Sequence, residues 1–397
     1  MSKSILIKNG YIFPSDIRAD MLMRDGVIDT VAQSIDPTSA PAPAEVIDAT
    51  GCIVIPGLIE AHCHLDKTLW SGPWLAERSA STIAERIALK DRNAEYGLPS
   101  ATYADALLRQ MASLGTTHIR THTDVDPEVG LRGIELIQEV ADNAADLVSV
   151  EQVAFPQSGI VKAPGTHELL RKAARMPGVV AIGGVDPAGY DGDPHGQLRA
   201  IFEIACEAGC KIDIHLHDAG TLGAWELELI AQYTKTFDMQ NRVAVSHAFA
   251  LSTVEPALQQ RLVETLAERQ IAIITALPYD RPLLPTNMLR EAGVALGMGN
   301  DNIDDLWSAF GTGDILERAW LLAYRSEWRK DALIRTALEV ATAGSASVLQ
   351  LDRYGVSPGC KADLVIAPAR TPGELVVKRP RQRWVIKNGA VVHRPEA

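Results

Sequence analysis

Short apolar, β-branched runs recur through the middle of the chain, and most are followed by a longer stretch with helical spacing. The runs are 58–62, 117–125, 148–155, 179–185, 211–217, 243–247, 271–276 and 294–299. Helical spacing covers 101–114, 167–174, 198–208, 222–234, 254–268 and 314–324. This alternation, with short connections, predicts an α/β fold with a parallel sheet. Eight such units fit a closed (β/α)8 TIM barrel better than an open sheet. The two ends differ from the middle. Ile5 to Ile7 leads into Asn9-Gly10, a hairpin signal, and then Tyr11 to Phe13. Met21 to Met23 and Val27 to Val31 flank Asp25-Gly26. Near the other end, 361–366, 383–387 and 390–393 read as strands, the last two joined by Asn388-Gly389. Neither short β-region can bury a face alone. The expectation is one small β-sandwich domain made from 1–52 and 355–397, with a barrel domain over 53–354. The stretch from Pro37 to Pro43 reads as a loop. Residues 68–100, with Trp70 and Trp74, exceed a normal strand-to-helix connection and read as a lid or wall over the barrel mouth.

Composition narrows the function. Apolar residues make up 47% and charged residues 22%, which excludes a disordered chain. A net charge of −12 argues against binding nucleic acid or anionic membrane through bulk charge. The basic cluster Lys378, Arg379, Arg381 and Arg383 therefore reads as a solvated edge. Five cysteines form a sparse, odd set, expected of a reduced cytoplasmic protein, with Cys206 and Cys210 as buried structural thiols. The opening apolar run is too short for a signal sequence. No segment is expected to match the roughly 18 apolar residues of a membrane span.

The placement of histidine points to chemistry. Most of the ten histidines fall at or near predicted strand C-termini, the face where barrels carry active sites. His62 and His64 alternate onto one face, with Cys63 pointing away. His215 lies on the fifth predicted strand, His247 ends the sixth and Asp301 follows the eighth. Imidazoles with a carboxylate and room for water suit one catalytic divalent ion, Zn2+ or Fe2+. His122 and Asp124, on the second strand, read as supporting residues of the barrel interior. Trp307 is placed to wall a ring pocket.

The chain resembles the amidohydrolase superfamily. The matching pieces are Pro56-Gly57-Leu58-Ile59-Glu60-Ala61-His62-Cys63-His64, His215, His247, Asp301 and Gly359-Cys360-Lys361-Ala362-Asp363-Leu364-Val365. Within it the resemblance is to the subgroup of cytosine deaminase and N-isopropylammelide isopropylaminohydrolase. It is carried by His64-Leu65-Asp66, Arg120-Thr121-His122-Thr123-Asp124-Val125, Val153-Ala154-Phe155-Pro156-Gln157-Ser158-Gly159, Ser246-His247-Ala248 and Asp301-Asn302-Ile303-Asp304-Asp305-Leu306-Trp307. The resemblance implies one metal held by His62, His64, His215 and Asp301, with His247 holding or polarising hydroxide. Asp301 would take the hydroxide proton. A second acid, Asp218 or His217, would protonate the ring nitrogen and the leaving amine. Lys67, Gln157, Asn302 and Trp307 would contact the substrate. Departures from cytosine deaminase at Lys67, His217 and Asn302 lean towards a more oxygenated, triazine-like ring.

The implied activity is a hydrolytic deaminase or aminohydrolase, acting on carbon–nitrogen bonds of a small oxo-substituted N-heterocycle. The resemblance also implies a homo-oligomer. Two other readings are a cyclic amide or lactam hydrolase and a non-catalytic scaffold. The first is disfavoured because the fourth strand lacks the lysine of dinuclear relatives. The second is disfavoured because every expected ligand type is present.

Overall fold

A computed structural model describes residues 4–37, 44–76, 78, 80, 82–278 and 281–395. The expected 37–43 loop lies mostly outside those residues. Eight parallel strands pair in chain order: β6 (Leu58–Cys63), β7 (Thr116–Asp124), β8 (Ser149–Phe155), β9 (Val179–Val185), β10 (Lys211–Leu216), β11 (Val243–His247), β12 (Ala272–Thr275) and β13 (Leu296–Met298). Each expected strand is present, with ends moved by a few residues. Helices between them pack Leu170, Leu198, Ile201, Phe202, Leu262 and Leu316 against the sheet.

The barrel closes where the candidate ligands lie. The Asp301 amide donates to the His62 carbonyl at 2.8 Å, joining the end of β13 to β6. Glu60, buried on β6, accepts from the amides of His62 and Asn300 and from the Asn300 side chain. Gly299 permits this approach, because a Cβ there would lie 2.4 Å from the His62 carbonyl oxygen.

The termini share a second sheet. β1 (Ser4–Ile12), β2 (Ile17–Arg24), β3 (Val27–Ala32), β4 (Ala44–Asp48) and β5 (Ile53–Pro56) come from the start, and β14 (Leu364–Ala367), β15 (Trp384–Lys387) and β16 (Ala390–His393) from the end. Their order is β16-β15-β14-β5-β1-β2-β3, with β4 along the first half of β1 and β5 along the second. One core, including Ile5, Ile7, Met21, Ile28, Leu364 and Ile386, fills it.

Several expectations are corrected. Asn9-Gly10 is not a hairpin turn. β1 runs through it, and the register to β2 shifts between Ile7 and Gly10. Asn9 adopts a φ of 61° and donates its amide to Asp20, so left-handed Asn serves a bulge here. Cys210 is buried as expected, but Cys206 is exposed. Residues 331–349 form one helical run with a π-turn at Val340–Gly344, long and apolar enough by length and composition to cross a membrane. Gly344 allows it to lie against β13, since a Cβ there would sit 2.4 Å from the Leu296 carbonyl. A little over half of that run is buried in the fold, the burial of a core helix.

The described residues of 68–100 pack against the loops that follow β7 and β13. The segment contains helix Ile83–Ala88, capped by Thr82 and Glu85, and a 3-10 turn at Leu89–Tyr96. Arg78 fastens it to Asp304 at 2.8 Å, and Lys90 to Asp126 at 2.9 Å.

The basic cluster is not all solvated edge. Arg383 is fully buried and grips both oxygens of Asp314, at 2.9 and 2.7 Å, and the Leu114 carbonyl. It thereby ties the terminal sheet to the barrel. Removing one partner of a buried pair strands the other charge. Arg383→Met should therefore cost about 3 kcal/mol, read as a lower urea midpoint. An unchanged midpoint would contradict this anchoring role.

Candidate metal centre and its surroundings

His62, His64 and Asp301 bring ligand atoms within 4.8 Å of one another, and so do His62, His215 and His247. The two groups share His62. All of these residues lie at the C-terminal ends of β6, β10, β11 and β13. Local geometry explains how they meet. His215 and Ser246 are paired in register and face the same way. His247, one residue on, should alternate outward. Its φ of 71°, followed by 47° at Ala248, turns it back inward. Asp301 has a φ of 63° and turns likewise. Left-handed non-glycine residues gathered at one end of a barrel mark a site whose geometry the fold imposes at some cost.

Hydrogen bonds define which imidazole nitrogens are free. Ser246 Oγ donates to Asp213 Oδ1 and so accepts from His62 Nδ1, both at 2.8 Å. The His122 carbonyl can only accept, so His64 Nδ1 carries the hydrogen at 3.1 Å. Lys67 Nζ, 3.3 Å from that same nitrogen, is then a neighbouring charge rather than a donor to it. The Nε2 atoms of His62 and His64 are left with lone pairs, 3.5 and 3.3 Å from Asp301 Oδ1. Both nitrogens of His215, and Nε2 of His247, are buried without hydrogen-bond partners among the described residues. Burial, then neighbouring cationic and imidazole groups, holds His64, His215 and His247 well below the usual histidine pKa. They are neutral at neutral pH, as ligands must be. Electron-rich atoms at these distances repel one another unless a cation lies among them, so the donor set fits a divalent ion.

A further group, His62, His122 and Asp213, lies deeper. Here Arg120 donates to Asp213 Oδ2 at 3.2 Å. That guanidinium already supplies the positive charge, so this group reads as support for His62.

The second tier of residues separates two candidates. His217 Nδ1 bonds Asp186 Oδ2 at 2.8 Å, and its ring stacks on His247 at 4.4 Å between centroids. Burial would lower its pKa, but the Asp186 carboxylate outweighs burial and raises it. Asp218 accepts from the Gly189 amide at 2.8 Å and shares a hydrogen bond with Glu226. Burial, with Asp218 beside it, pushes Glu226 up to about 9, so those two carboxyls hold a proton between them.

Lys67 is buried, not solvated. It pairs with Asp124 at 2.8 Å, donates to Gln157 Oε1 and lies over the Phe155 ring. Burial raises Asp124 to about 7 even against that lysine. Lys67, Asp124, Gln157 and Trp307 line a small cavity of about 10 Å³. Asn302 donates to Asp305, whose other oxygen accepts the Trp307 and Ser308 amides. Trp307 also lines the larger cleft that reaches Asp301 and Asn302, so it stands between the two spaces. Sequence reasoning missed Asp186, Asp213, Ser246 and Glu60. Asp213 was findable, because it alternates onto the face of His215 and His217. Ser246 was hidden by the kink at His247.

The amidohydrolase family profile matches residues 99–393. The chain is similar to N-isopropylammelide isopropyl amidohydrolase of Pseudomonas sp., at 30% identity over 100% of this chain and 99% of the relative. Among solved structures it is similar to N-isopropylammelide isopropylaminohydrolase from Burkholderia multivorans. That match has a TM-score of 0.93 and 37% identity, covering 99% of each chain. It is also similar to 5-methylcytosine deaminase from Klebsiella pneumoniae, with a TM-score of 0.86 and 26% identity over 99% of this chain and 98% of that one. With its fold, its histidine cluster and this match over most of its length, the chain belongs to the amidohydrolase family.

Proposed function

We propose that this protein is a mononuclear metal-dependent aminohydrolase. It removes ammonia or an alkylamine from a small oxo-substituted N-heterocycle of cytosine or ammelide type. The observation that carries this reading is the clustering of ring nitrogens about His62 at the open end of the barrel, with His62 and His64 beside the Asp301 carboxylate and His215 and His247 within 4.8 Å of His62. The activities named for the Pseudomonas and Klebsiella relatives support the substrate class.

His62, His64, His215 and Asp301 would hold one Zn2+ or Fe2+, with His247 facing it. β9 carries no lysine that could bridge a second ion. When bound, such an ion makes hydroxide available near neutral pH and polarises the group under attack. Asp301, with a side chain a quarter exposed to the cleft, receives the proton from the attacking water. His217 is the acid. Asp186 accepts its Nδ1 hydrogen, so Nε2 carries the second proton and delivers it to the ring nitrogen, while the proton received by Asp301 passes to the departing amine. Asp218, in catalytic contention from the sequence, has a supporting place here. Its contacts to Gly189 and Glu226 brace the loop that carries Asp186. Gln157 offers an amide edge to the ring, and Lys67 directs its ammonium at a ring oxygen. Asn302 and Trp307 close the opposite side.

The direct test is amine release by metal-reconstituted protein from cytosine, pterins, ammelide and N-alkyl ammelides, with product masses recorded. Turnover of an oxygenated triazine or pyrimidine is expected. No turnover from any of them, with metal bound, would overturn the reading and favour ring-opening amide hydrolysis. Ser246→Ala removes the partner that orients His62, and should weaken metal retention against a chelator by about tenfold or more. Unchanged retention would contradict that role. Activity needs protonated His217 and falls as pH rises through its pKa. Asp186→Asn removes the main opposition to burial, leaving the weaker effects of Asp301 and Asp218, and lowers that pKa. The alkaline limb of the kcat profile should therefore move to lower pH, and an unmoved limb would exclude His217 as the acid.

A further inference from the structure

Helix Ile315–Arg325 follows the loop that carries Asp301, and its Arg318 reaches back towards that loop. Nε donates to Asn300 Oδ1 at 2.9 Å, and Nη1 lies 3.4 Å from the Ala276 carbonyl. Nη2 has no hydrogen-bond partner among the described residues. No carboxylate there forms an ion pair with this guanidinium, although it is more than half buried. The nearby acids are otherwise engaged. Glu60 accepts from Asn300 and the His62 amide, Asp301 faces the imidazoles, and Glu317 accepts from Thr312 at 2.5 Å. Gly311 has a φ of +104°, and even a Cβ there would lie only 3.4 Å from Nη2. Glycine at this position leaves the approach open.

Arg318 lines a cleft of about 480 Å³. The cleft reaches Asp301, and Leu277, Pro278, Trp320 and Leu321 form apolar wall. It is far larger than the cavity of about 10 Å³ beside Lys67. A partly desolvated guanidinium favours an anion, and its planar fork matches a carboxylate.

We propose that Arg318 binds a carboxylate borne on an apolar substituent of the substrate, in the cleft beside Asp301. This rests on the aminohydrolase reading of the adjacent centre. The carboxylate can sit on the leaving amine or on the ring, and two matched substrate pairs separate these sources. One pair compares N-propyl with N-(2-carboxyethyl) on the leaving amine of an aminotriazinedione. The other compares methyl with carboxymethyl on its ring.

The measurement is kcat/KM with metal-reconstituted protein. In at least one pair the carboxylate compound should be favoured by about tenfold or more, as a charge-assisted hydrogen bond implies. That pair identifies the source. Arg318→Gln should abolish the preference and Arg318→Lys should keep part of it. If Arg318→Gln fails to fold, Leu321→Glu serves instead. It offers the guanidinium a carboxylate one helical turn away and should reduce the preference. Equal or poorer turnover of the carboxylate compounds in both pairs would overturn the proposal. A preference that survives these substitutions would overturn it too. Turnover of no compound, neutral or charged, would overturn the aminohydrolase reading and this inference with it.

Discussion

The hydrogen bond from the Asp301 amide to the His62 carbonyl closes the barrel, and the site depends on it. It joins the last strand to the first through the two residues whose side chains meet at Asp301 Oδ1 and His62 Nε2. Glu60 reinforces the closure from below by gathering the His62 and Asn300 amides. Burial raises that carboxyl to about 7 despite those hydrogen bonds, so the closure uses an acid the interior would rather keep protonated. Gly299 is required at the same place. The backbone that seals the fold is thus the backbone that aims the His62 and Asp301 side chains, and neither can shift alone.

Around this closure the charges are layered. His64, His215 and His247 at the centre are neutral and present lone pairs. Behind them the Asp213 carboxylate, through Ser246, and the His122 carbonyl take the other ring hydrogens. The cations lie beyond these partners or beside the rings, with Arg120 behind Asp213 and Lys67 between His64 and Asp124. His217 differs from its neighbours because Asp186 gives it a negative partner of its own. Environment alone thereby lowers the pKa of His64, His215 and His247 and raises that of His217.

Much of this was legible in the sequence. Alternating apolar runs and helical stretches place all eight barrel strands, because buried parallel strands read as continuous β-branched runs. His62, His64, His215, His247 and Asp301 come together because strand C-termini share one face. What the sequence concealed has physical causes. Asn9-Gly10 suits a bulge as well as a turn, and only pairing with β2 decides between them. Arg383 reads as one of a surface basic cluster, and its burial follows from Asp314, distant along the chain. Asp186 lies just past a strand end, where a φ of 32° rather than alternation sets its direction.

Titration with Co2+, followed by its visible ligand-field bands, tests the central claim most directly. The account predicts one equivalent per chain in a low-symmetry nitrogen and oxygen environment, with the bands lost in both His215→Ala and Asp301→Ala. Binding of two equivalents, or bands that survive both substitutions, would contradict it.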